Sequence, residues 1–298
     1  MNASRLPSEP PTDDADAASV ARPTLRALLE RRYRQTGAAA PAAGEEAAAV
    51  AGLLSHRSVR RYLPKPLEAG TIELLVAAAQ SASSSSNLQL WSVIEVRDAE
   101  RRRALSEVAG RQAHILECAS FLVWVADLHR PTELASARGL GHEGLSYLEM
   151  FLMASIDTAL AAQNAVVAAE ALGLGVVYIG ALRNDAERVA QILGLPPRSF
   201  AVFGLCVGWP HPEAEGAVKP RLPQRVVLHR DRYGSVAEQR PVVDDYDARM
   251  VEFYTEQRMA VPAGGWSVHS GQRVATVAAL RGRDRLRAAL NALGFELR

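Results

Sequence analysis

The sequence predicts an α+β fold, in which short apolar strands lie among longer helices. Four apolar runs have the length of strands and end at charged or turn-forming residues, at 90–96, 121–126, 176–179 and 200–207. They are not followed one by one by crossover helices, and no Gly-x-Gly-x-x-Gly motif follows the first of them. These observations favour α+β over a Rossmann-type dinucleotide domain.

The helices are predicted from helical periodicity, from capping residues and from glycine or proline at their ends. Residues 1–22 are rich in Pro, Asp and Ser and are predicted to be disordered, with a short helix after them. Further helices are predicted at 45–54, 67–79, 98–108, 184–193, 244–258 and 272–292. Residues 226–228 are predicted to be extended, residues 128–142 to form a loop, and Asn184 to begin a helix as part of a capping box.

The longest helix is predicted at 144–172, where Gly173 and Gly175 act as C-terminal breakers. It is apolar or alanine on nearly every side, which favours burial all round, and such a helix often lies at a subunit interface. Five polar residues interrupt it: Glu149, Asp157, Gln163, Asn164 and Glu170. A lipid-spanning helix rarely carries so many polar groups, so a membrane span is not expected.

Composition and charge narrow the class of protein. The 298 residues are 48% hydrophobic, and 34 Lys and Arg against 33 Asp and Glu leave a net charge of +1. A nucleic-acid binder needs a basic surplus, so neither a nucleic-acid nor a membrane partner is expected. The acidic N-terminus lacks the features of a signal peptide, and Cys118 and Cys206 lie in apolar runs typical of buried, reduced thiols. We therefore expect a cytoplasmic protein without a metal site.

The first polar cluster that could carry chemistry lies in a segment that is predicted to be extended, at 55–61. Alternate residues of an extended chain point the same way, so His56, Ser58 and Arg60 share one face. Two basic side chains and a hydroxyl in line would suit a phosphate group and the polar edge of a cofactor. A solvated basic patch is the alternative interpretation.

Three further clusters are weaker when taken singly. The serine run at 83–86, followed by Asn87, can line a polar ligand or form a linker. Gly180, which follows Ile179 at a strand end, either permits a flat ligand to approach the backbone or simply ends the strand. Residues 219–221 (Lys-Pro-Arg) place two cations beside a stiffening proline, a pattern also common in surface loops.

The sequences of these motifs and their order along the chain together resemble those of a known family. The segments HRSVRRY, SASSSSNLQLWSVIEV, GLGVVYIGALRN, FGLCVGWP and KPRLP are similar to those of the FMN-dependent nitroreductase superfamily, in particular its oxygen-insensitive NADPH nitroreductase and flavin reductase branch. The resemblance begins near Ser55 and continues to the C-terminus. It divides the chain into an N-terminal extension at 1–50, partly disordered with a short helix, and one FMN-binding domain at 51–298.

The resemblance implies a nitroreductase-like α+β fold, with a central mixed sheet flanked by helices. It also implies an intertwined homodimer with two FMN molecules at the subunit interface, much of it formed by the long helix. The residues that it assigns to the cofactor are His56, Arg57, Ser58, Arg60, Ser84, Ser85, Ser86, Gln112, Tyr178, Ile179, Gly180, Lys219 and Arg221.

The roles that the resemblance implies differ along the flavin. Arg60 would lie near the pyrimidine edge of the flavin. His56, Arg57 and Ser58 would lie toward the phosphate, which Lys219 and Arg221 would bind. The serines at 84–86 would contact the flavin from the partner subunit. Gln112 would hydrogen-bond the flavin ring, and Ile179 and Gly180, at the end of the strand, would lie against that ring.

The chemistry implied by the resemblance needs no side-chain nucleophile, because it takes place on the cofactor. NADPH or NADH would reduce FMN, and a small nitroaromatic or quinone acceptor would then take two electrons in a ping-pong cycle. Arg60 is the candidate for stabilising the negative charge of the reduced flavin.

Two departures from the branch concern its substrates. Asn87 follows the serines where the branch more typically has an aromatic residue, so we expect an altered acceptor pocket. Residues 259–265 carry no basic side chain where the branch places arginines for the NADPH 2′-phosphate, and Arg258 is the nearest candidate. A preference for NADPH over NADH is therefore an expectation from the family.

Three alternative functions remain. A flavin reductase would supply reduced flavin to a partner oxygenase, and a flavin-binding module would hold FMN without turnover. A purely structural protein is disfavoured, because the polar clusters would then lack a common purpose.

Overall fold

The central sheet is built from four strands, β1 (Trp91–Glu95), β2 (Ser120–Asp127), β3 (Gly175–Ile179) and β4 (Ser199–Gly208). They come from a computed structural model that describes residues 24–36, 48–213, 216–259 and 263–298. The strand order is β1-β2-β4-β3, with every neighbouring pair antiparallel. Each strand lies within one residue of its predicted bounds at both ends.

The predicted mixed sheet is antiparallel in all four strands. Within the described residues, a parallel pairing occurs as the single bridge of Ser58 to Val176, on the outer edge of β3. The backbone N–H of Val59 donates to the carbonyl of Val176 at 2.9 Å. This bridge holds the first polar cluster alongside β3.

Helices cover both faces of the sheet. The helices of the described residues, in chain order, are α1 (Leu25–Tyr33), α2 (Ala48–Ser55), α3 (Thr71–Gln80), α4 (Ala99–Val108), α5 (His114–Glu117), α6 (His129–Ala137), α7 (Leu148–Ala171), α8 (Ala186–Leu193), α9 (Gln224–Val227), α10 (Val236–Glu256), α11 (Trp266–Val274) and α12 (Leu286–Ala292). Side chains of β2 alternate between two cores. Trp124 packs with Ala165 of α7, whereas Val123 packs with Leu105 of α4 and Val189 of α8.

The long helix α7 is buried on one side and exposed on the other, so the prediction of burial all round is wrong for the single chain. Four apolar side chains at a spacing of four residues are 45–54% exposed: Leu148, Leu152, Ile156 and Leu160. By length and composition α7 passes as a membrane span. Its opposite side, however, packs on the sheet and buries the polar residues Asp157 and Thr158.

Two segments predicted as irregular or extended are helical. Residues 129–137 form α6 rather than a loop, because the Asp127 carboxylate accepts from the backbone N–H of Arg130 at 3.0 Å. Pro131 is tolerated since it lies in the first turn, where its missing N–H has no intrahelical partner. Residues 224–227 form the short helix α9, so the extended prediction at 226–228 is wrong.

The C-terminal helices also differ from prediction. α10 begins at Val236, because Ser235 caps it, rather than near residue 244. The single helix predicted at 272–292 is broken into α11, two 3-10 turns and α12, since Arg281 and Gly282 have φ values of 55° and 87°. The cap of α8 is Asp185 rather than Asn184, because the Asp185 carboxylate accepts from Arg188 N–H at 3.0 Å.

The N-terminal extension contributes the helix α1, where a short helix is predicted. Thr24 caps it, and Leu28 is buried against the body of the chain. The predicted disorder at 1–22 lies outside the described residues. α2 spans residues 48–55 and so crosses the predicted boundary between 50 and 51. The division into an extension and one domain stays a prediction.

Candidate functional site

The segment of His56, Ser58 and Arg60 runs along the outer edge of β3. Val59 is buried in this segment, and a Cβ added to Gly175 would lie 2.8 Å from its side chain, so glycine permits the close approach. Because side chains alternate along an extended chain, Ser58 and Arg60 face away from the core, and both are exposed. The parallel direction of the bridge carries Arg60 toward the C-terminal end of β3.

The His56 ring is held by the long helix. Its Nδ1 lies 2.7 Å from Oε1 of Glu170, near the end of α7, and both side chains are partly buried. With Arg57 and Glu170, His56 lines a cavity of about 230 Å³ whose far wall includes Gly173 and Gly175. Glu170, which in the sequence is only a polar interruption of α7, therefore orients one of the predicted cofactor residues.

Three predicted cofactor residues, Arg60, Lys219 and Arg221, lie on two segments that one guanidinium joins: Arg32 donates to the carbonyls of His56 at 3.1 Å and Lys219 at 3.0 Å. These three residues are called the cationic cluster. Lys219 is half-buried, and its pKa is lowered first by burial and then by the positive charges of Arg60 and Arg221. In the described part of the chain, no carboxylate lies within ion-pair distance of these three cations. A cluster of cations without carboxylate partners fits a dianionic phosphate such as that of FMN.

The segment of Gln112 leads into α5, whose Ile115 shares a core with Val59 of the His56 segment. The pKa of His114 is lowered by burial and by the charge of Arg60, and its Nε2 is buried without a hydrogen-bond partner among the described residues. Gln112 itself donates from Nε2 to the carbonyl of Ala109 at 2.7 Å. His114 was not singled out from the sequence, where a lone histidine carries no pattern.

The end of β3 presents a mixed surface. Ile179 is buried, whereas Gly180 is half-exposed, and a Cβ added to Gly180 would lie 3.2 Å from the Arg183 guanidinium. The Tyr178 ring packs edge-on against Phe203 with centroids 4.8 Å apart, and burial raises the pKa of its hydroxyl. The absence of a side chain at Gly180 therefore makes room for the Arg183 guanidinium, and Gly180 remains half-exposed.

The serine run is an ordered turn anchored on α7. Ser84 Oγ donates to the carboxylate of Asp157 at 2.7 Å, and the backbone N–H of Leu90 donates to the same oxygen at 3.1 Å. Ser85 and Ser86 are exposed, and Asn87 follows them with a φ of 53°. The linker interpretation is therefore excluded.

The serine turn and the His56 segment are anchored at separate points of the same helix. Asp157 and Glu170 are 13 residues apart in the sequence, which corresponds to about 20 Å along a helix that rises 1.5 Å per residue. One chain therefore holds its serine turn well away from its own His56 segment.

A larger cleft of about 1050 Å³ opens beside the cationic cluster. Lys219 and Arg221 lie in its wall together with Arg273 and Arg281, and four aromatic side chains also line it: Tyr33, Tyr246, Tyr254 and Trp266. Arg273 and Arg281, with Arg183, lower the pKa of Arg283, in addition to the larger effect of burial. The wall of the cleft thus carries cations from two parts of the chain: Lys219 and Arg221 from one, and Arg273 and Arg281 from the other.

Comparison with known proteins identifies the family. Residues 53–209 match the nitroreductase family, and residues 219–298 match the C-terminal domain of the nitroreductase family. The chain belongs to the nitroreductase family. α1 lies outside both matched regions, so the family does not account for it.

Relatives of this chain include proteins that are named as reductases. An "FMN reductase (NADPH)" of Bacillus subtilis is 40% identical over 217 residues, which cover 72% of this chain and 86% of the relative. An "Oxygen-insensitive NADPH nitroreductase" of Salmonella typhimurium is 38% identical over 217 residues, covering 73% and 87%.

Solved structures of the nitroreductase family share the fold. The NfrA1 nitroreductase of B. subtilis superposes with a TM-score of 0.78 at 35% identity, over 84% of this chain and all of that one. An NADPH:FMN oxidoreductase of Vibrio harveyi, complexed with NAD+, gives a TM-score of 0.74 at 34% identity, over 84% and 99%.

The predicted nucleotide residue does not lie in the wall of the larger cleft. Arg258 is exposed just after α10, with a φ of 49°, whereas the neighbouring Met259 lines the cleft. Arg273 and Arg281 do line it, together with Lys219 and Arg221, but they lie beyond residues 259–265, where the resemblance predicts the nucleotide cations. The signal that could have found them is the density of arginines between residues 273 and 287.

Two further sequence predictions concern the state of the cysteines and the absence of a metal site. Cys118 and Cys206 are free and buried. No group of three or more His, Cys, Asp or Glu side chains in the described segments could hold a metal ion.

Proposed function

We propose that this protein is an FMN-dependent NAD(P)H oxidoreductase that reduces small nitroaromatic or quinone acceptors. The observation that carries the proposal is the cluster of Arg60, Lys219 and Arg221, in which two segments far apart in sequence bring three cations to one place. A phosphate would be held by Lys219 and Arg221, and Arg60 would face the negative charge that the flavin gains on reduction. Bound FMN supplies two-electron exchange between a nicotinamide and an acceptor.

The experiment that tests this proposal is an anaerobic absorbance spectrum of the purified protein before and after addition of NADPH. We expect a flavin band that bleaches on addition of NADPH and returns with a nitroaromatic acceptor. A yellow protein that does not bleach would instead be a flavin-binding module, and a colourless protein that takes up no FMN would contradict the proposal.

A flavin reductase is the second candidate function, favoured by the relative of B. subtilis that is named "FMN reductase (NADPH)". Asn87 is exposed and its side-chain oxygen accepts from Gln89 Nε2 at 3.1 Å, so it offers an acceptor a polar surface in place of an aromatic one. Faster turnover of added free FMN than of nitro compounds would favour the flavin reductase.

The proposed enzyme is a homodimer with two shared sites. The exposed apolar stripe of α7 supports this, because four large side chains on one face need a partner surface. The separate anchoring of the serine turn supports it too, since Ser84, Ser85 and Ser86 would meet a flavin held by the His56 segment of the other subunit. We also propose a cytoplasmic location, in keeping with the two free, buried cysteines.

For the nucleotide, we propose that Arg273 and Arg281 take the place of the cations missing at 259–265. Arg273→Ala is expected to lower kcat/KM for NADPH about 10-fold through KM, because a hydrogen bond to a charged group is worth roughly 1.5–3 kcal/mol. The rate with NADH, which lacks the 2′-phosphate, is expected to change little.

The matched control for this measurement is Arg287→Ala, an exposed arginine of α12 outside the cleft wall. It should leave the initial rates with both nucleotides unchanged. Equal losses with NADPH and NADH in Arg273→Ala would contradict the assignment of the 2′-phosphate to this residue.

A further inference from the structure

A buried arginine of the N-terminal extension reaches both segments of the proposed flavin site. Arg32, on α1, is 6% exposed. Its Nη2 donates to the carbonyls of Leu54 at 2.8 Å and His56 at 3.1 Å, with a longer contact of 3.5 Å to Leu53. Its Nη1 donates to the carbonyl of Lys219 at 3.0 Å.

The backbone of Arg32 takes part in the same contact. Its carbonyl accepts from the backbone N–H of Arg221 at 3.3 Å. Arg32 therefore bonds to the backbone of both cations at 219–221, through its side chain and through its main chain.

The same guanidinium also donates hydrogen bonds to backbone carbonyls at the C-terminal end of α2. Leu53 and Leu54 lie in the last turn of that helix, where carbonyls lack the usual partner four residues on, and the Leu53 carbonyl also accepts from the backbone N–H of His56 at 3.3 Å. His56 is the first residue of the segment that carries Arg60. The position of this segment relative to residues 219–221 is thus fixed by one rigid, planar group, whose several donors suit it to bridging separate carbonyls.

We propose that Arg32 is a positioning residue of the flavin site, which sets the spacing between the His56–Arg60 segment and the Lys219–Arg221 segment. The proposal rests on the proposed function, because it takes these segments as the phosphate side of the FMN site. It gives a role to α1, which lies outside both regions matched by the family.

Because of the segments that Arg32 joins, its loss should weaken binding of the phosphate more than binding of the flavin ring. One of the two segments carries Lys219 and Arg221, which are proposed to hold the phosphate, and the other carries His56, Arg57 and Ser58, which the resemblance places toward the phosphate. Gln112, Ile179 and Gly180 are held by other contacts. Loss of the spacing should therefore weaken binding of FMN, while riboflavin, which has the same ring without the phosphate, should be much less affected.

The experiment compares dissociation constants of FMN and riboflavin for the full-length wild-type protein and for Arg32→Met and Arg32→Lys, by quenching of flavin fluorescence. For Arg32→Met we expect the FMN dissociation constant to rise on the order of 10- to 100-fold, the size of effect that losing one hydrogen bond to a charged group has. The riboflavin constant should change less than about twofold. Arg32→Lys keeps the charge but cannot span four carbonyls, so most of the loss should persist.

The control is Arg31→Ala, a neighbouring arginine of α1 that is exposed. It should leave both constants unchanged. Thermal unfolding of each variant without flavin identifies misfolded protein, and Arg32→Lys keeps the comparison informative if Arg32→Met does not fold.

The outcomes separate this inference from the proposed function. If the wild-type protein binds neither flavin, the proposed function and the inference both fail. If the wild type binds FMN but the folded Arg32 variants lose FMN and riboflavin equally, or lose neither, only the positioning role is overturned. Full recovery of FMN binding in Arg32→Lys would overturn it as well, because charge rather than spacing would then account for the effect.

Discussion

Replacing Arg60 with alanine is expected to weaken FMN binding about 10-fold, as the loss of a charge-assisted contact would. It should also shift the reduction potential of bound FMN to more negative values. A unit charge at 4 Å contributes about 4 kcal/mol at an effective dielectric constant of 20. Because Arg60 is exposed, solvent screening reduces this value. A shift of about 30 mV, or 1.4 kcal/mol for a two-electron couple, is therefore expected.

The measurement is a titration of FMN into the apoprotein, followed by a spectroscopic determination of the potential. Arg61→Ala is the matched control, because Arg61 follows Arg60 directly but contacts Glu213 at 3.4 Å. Unchanged flavin content and potential in Arg60→Ala would exclude Arg60 from the flavin site.

Replacing Ile156 with glutamate is expected to convert the proposed dimer into monomers that have lost most of their FMN. Ile156 lies in the middle of the exposed stripe of α7, and a charge buried at an apolar interface without a partner is costly. The loss of FMN should accompany the loss of the partner's serine turn. Analytical ultracentrifugation and flavin content of the same sample measure both effects.

The matched control is Leu134→Glu, on α6, which is as exposed as Ile156 but outside the stripe. It should leave the mass and the flavin content unchanged. A dimeric Ile156→Glu protein would place the interface elsewhere. A monomer that keeps its FMN would show that the site does not need the second subunit.

The strands were predictable from sequence because each is an apolar run with clear ends, and β2, the most buried, has the clearest pattern. The helix α6 was not, since its start depends on a carboxylate of the preceding strand, Asp127, rather than on periodicity. The break before α12 depends on two successive residues in the left-handed region, which composition alone does not reveal.

The candidate site was only partly accessible from sequence. No periodicity brings Arg60 together with Lys219 and Arg221; the resemblance suggests it, and the contacts of Arg32 with the carbonyls of His56 and Lys219 join their two segments. Arg32 lies in a run of basic residues, with Arg31 and Arg34, that is typical of a solvated face. Its spacing of four residues from Leu28 places it on the buried side of α1, a signal that the sequence did contain.

The contact between Arg32 and Lys219 has a consequence for the order in which the protein folds. It joins residues 187 positions apart, and contacts of such separation form late because closing a long loop is entropically unfavourable. We therefore expect the sheet to form first and the flavin site to close afterwards. FMN, by binding only the closed form, would then stabilise the native state by mass action.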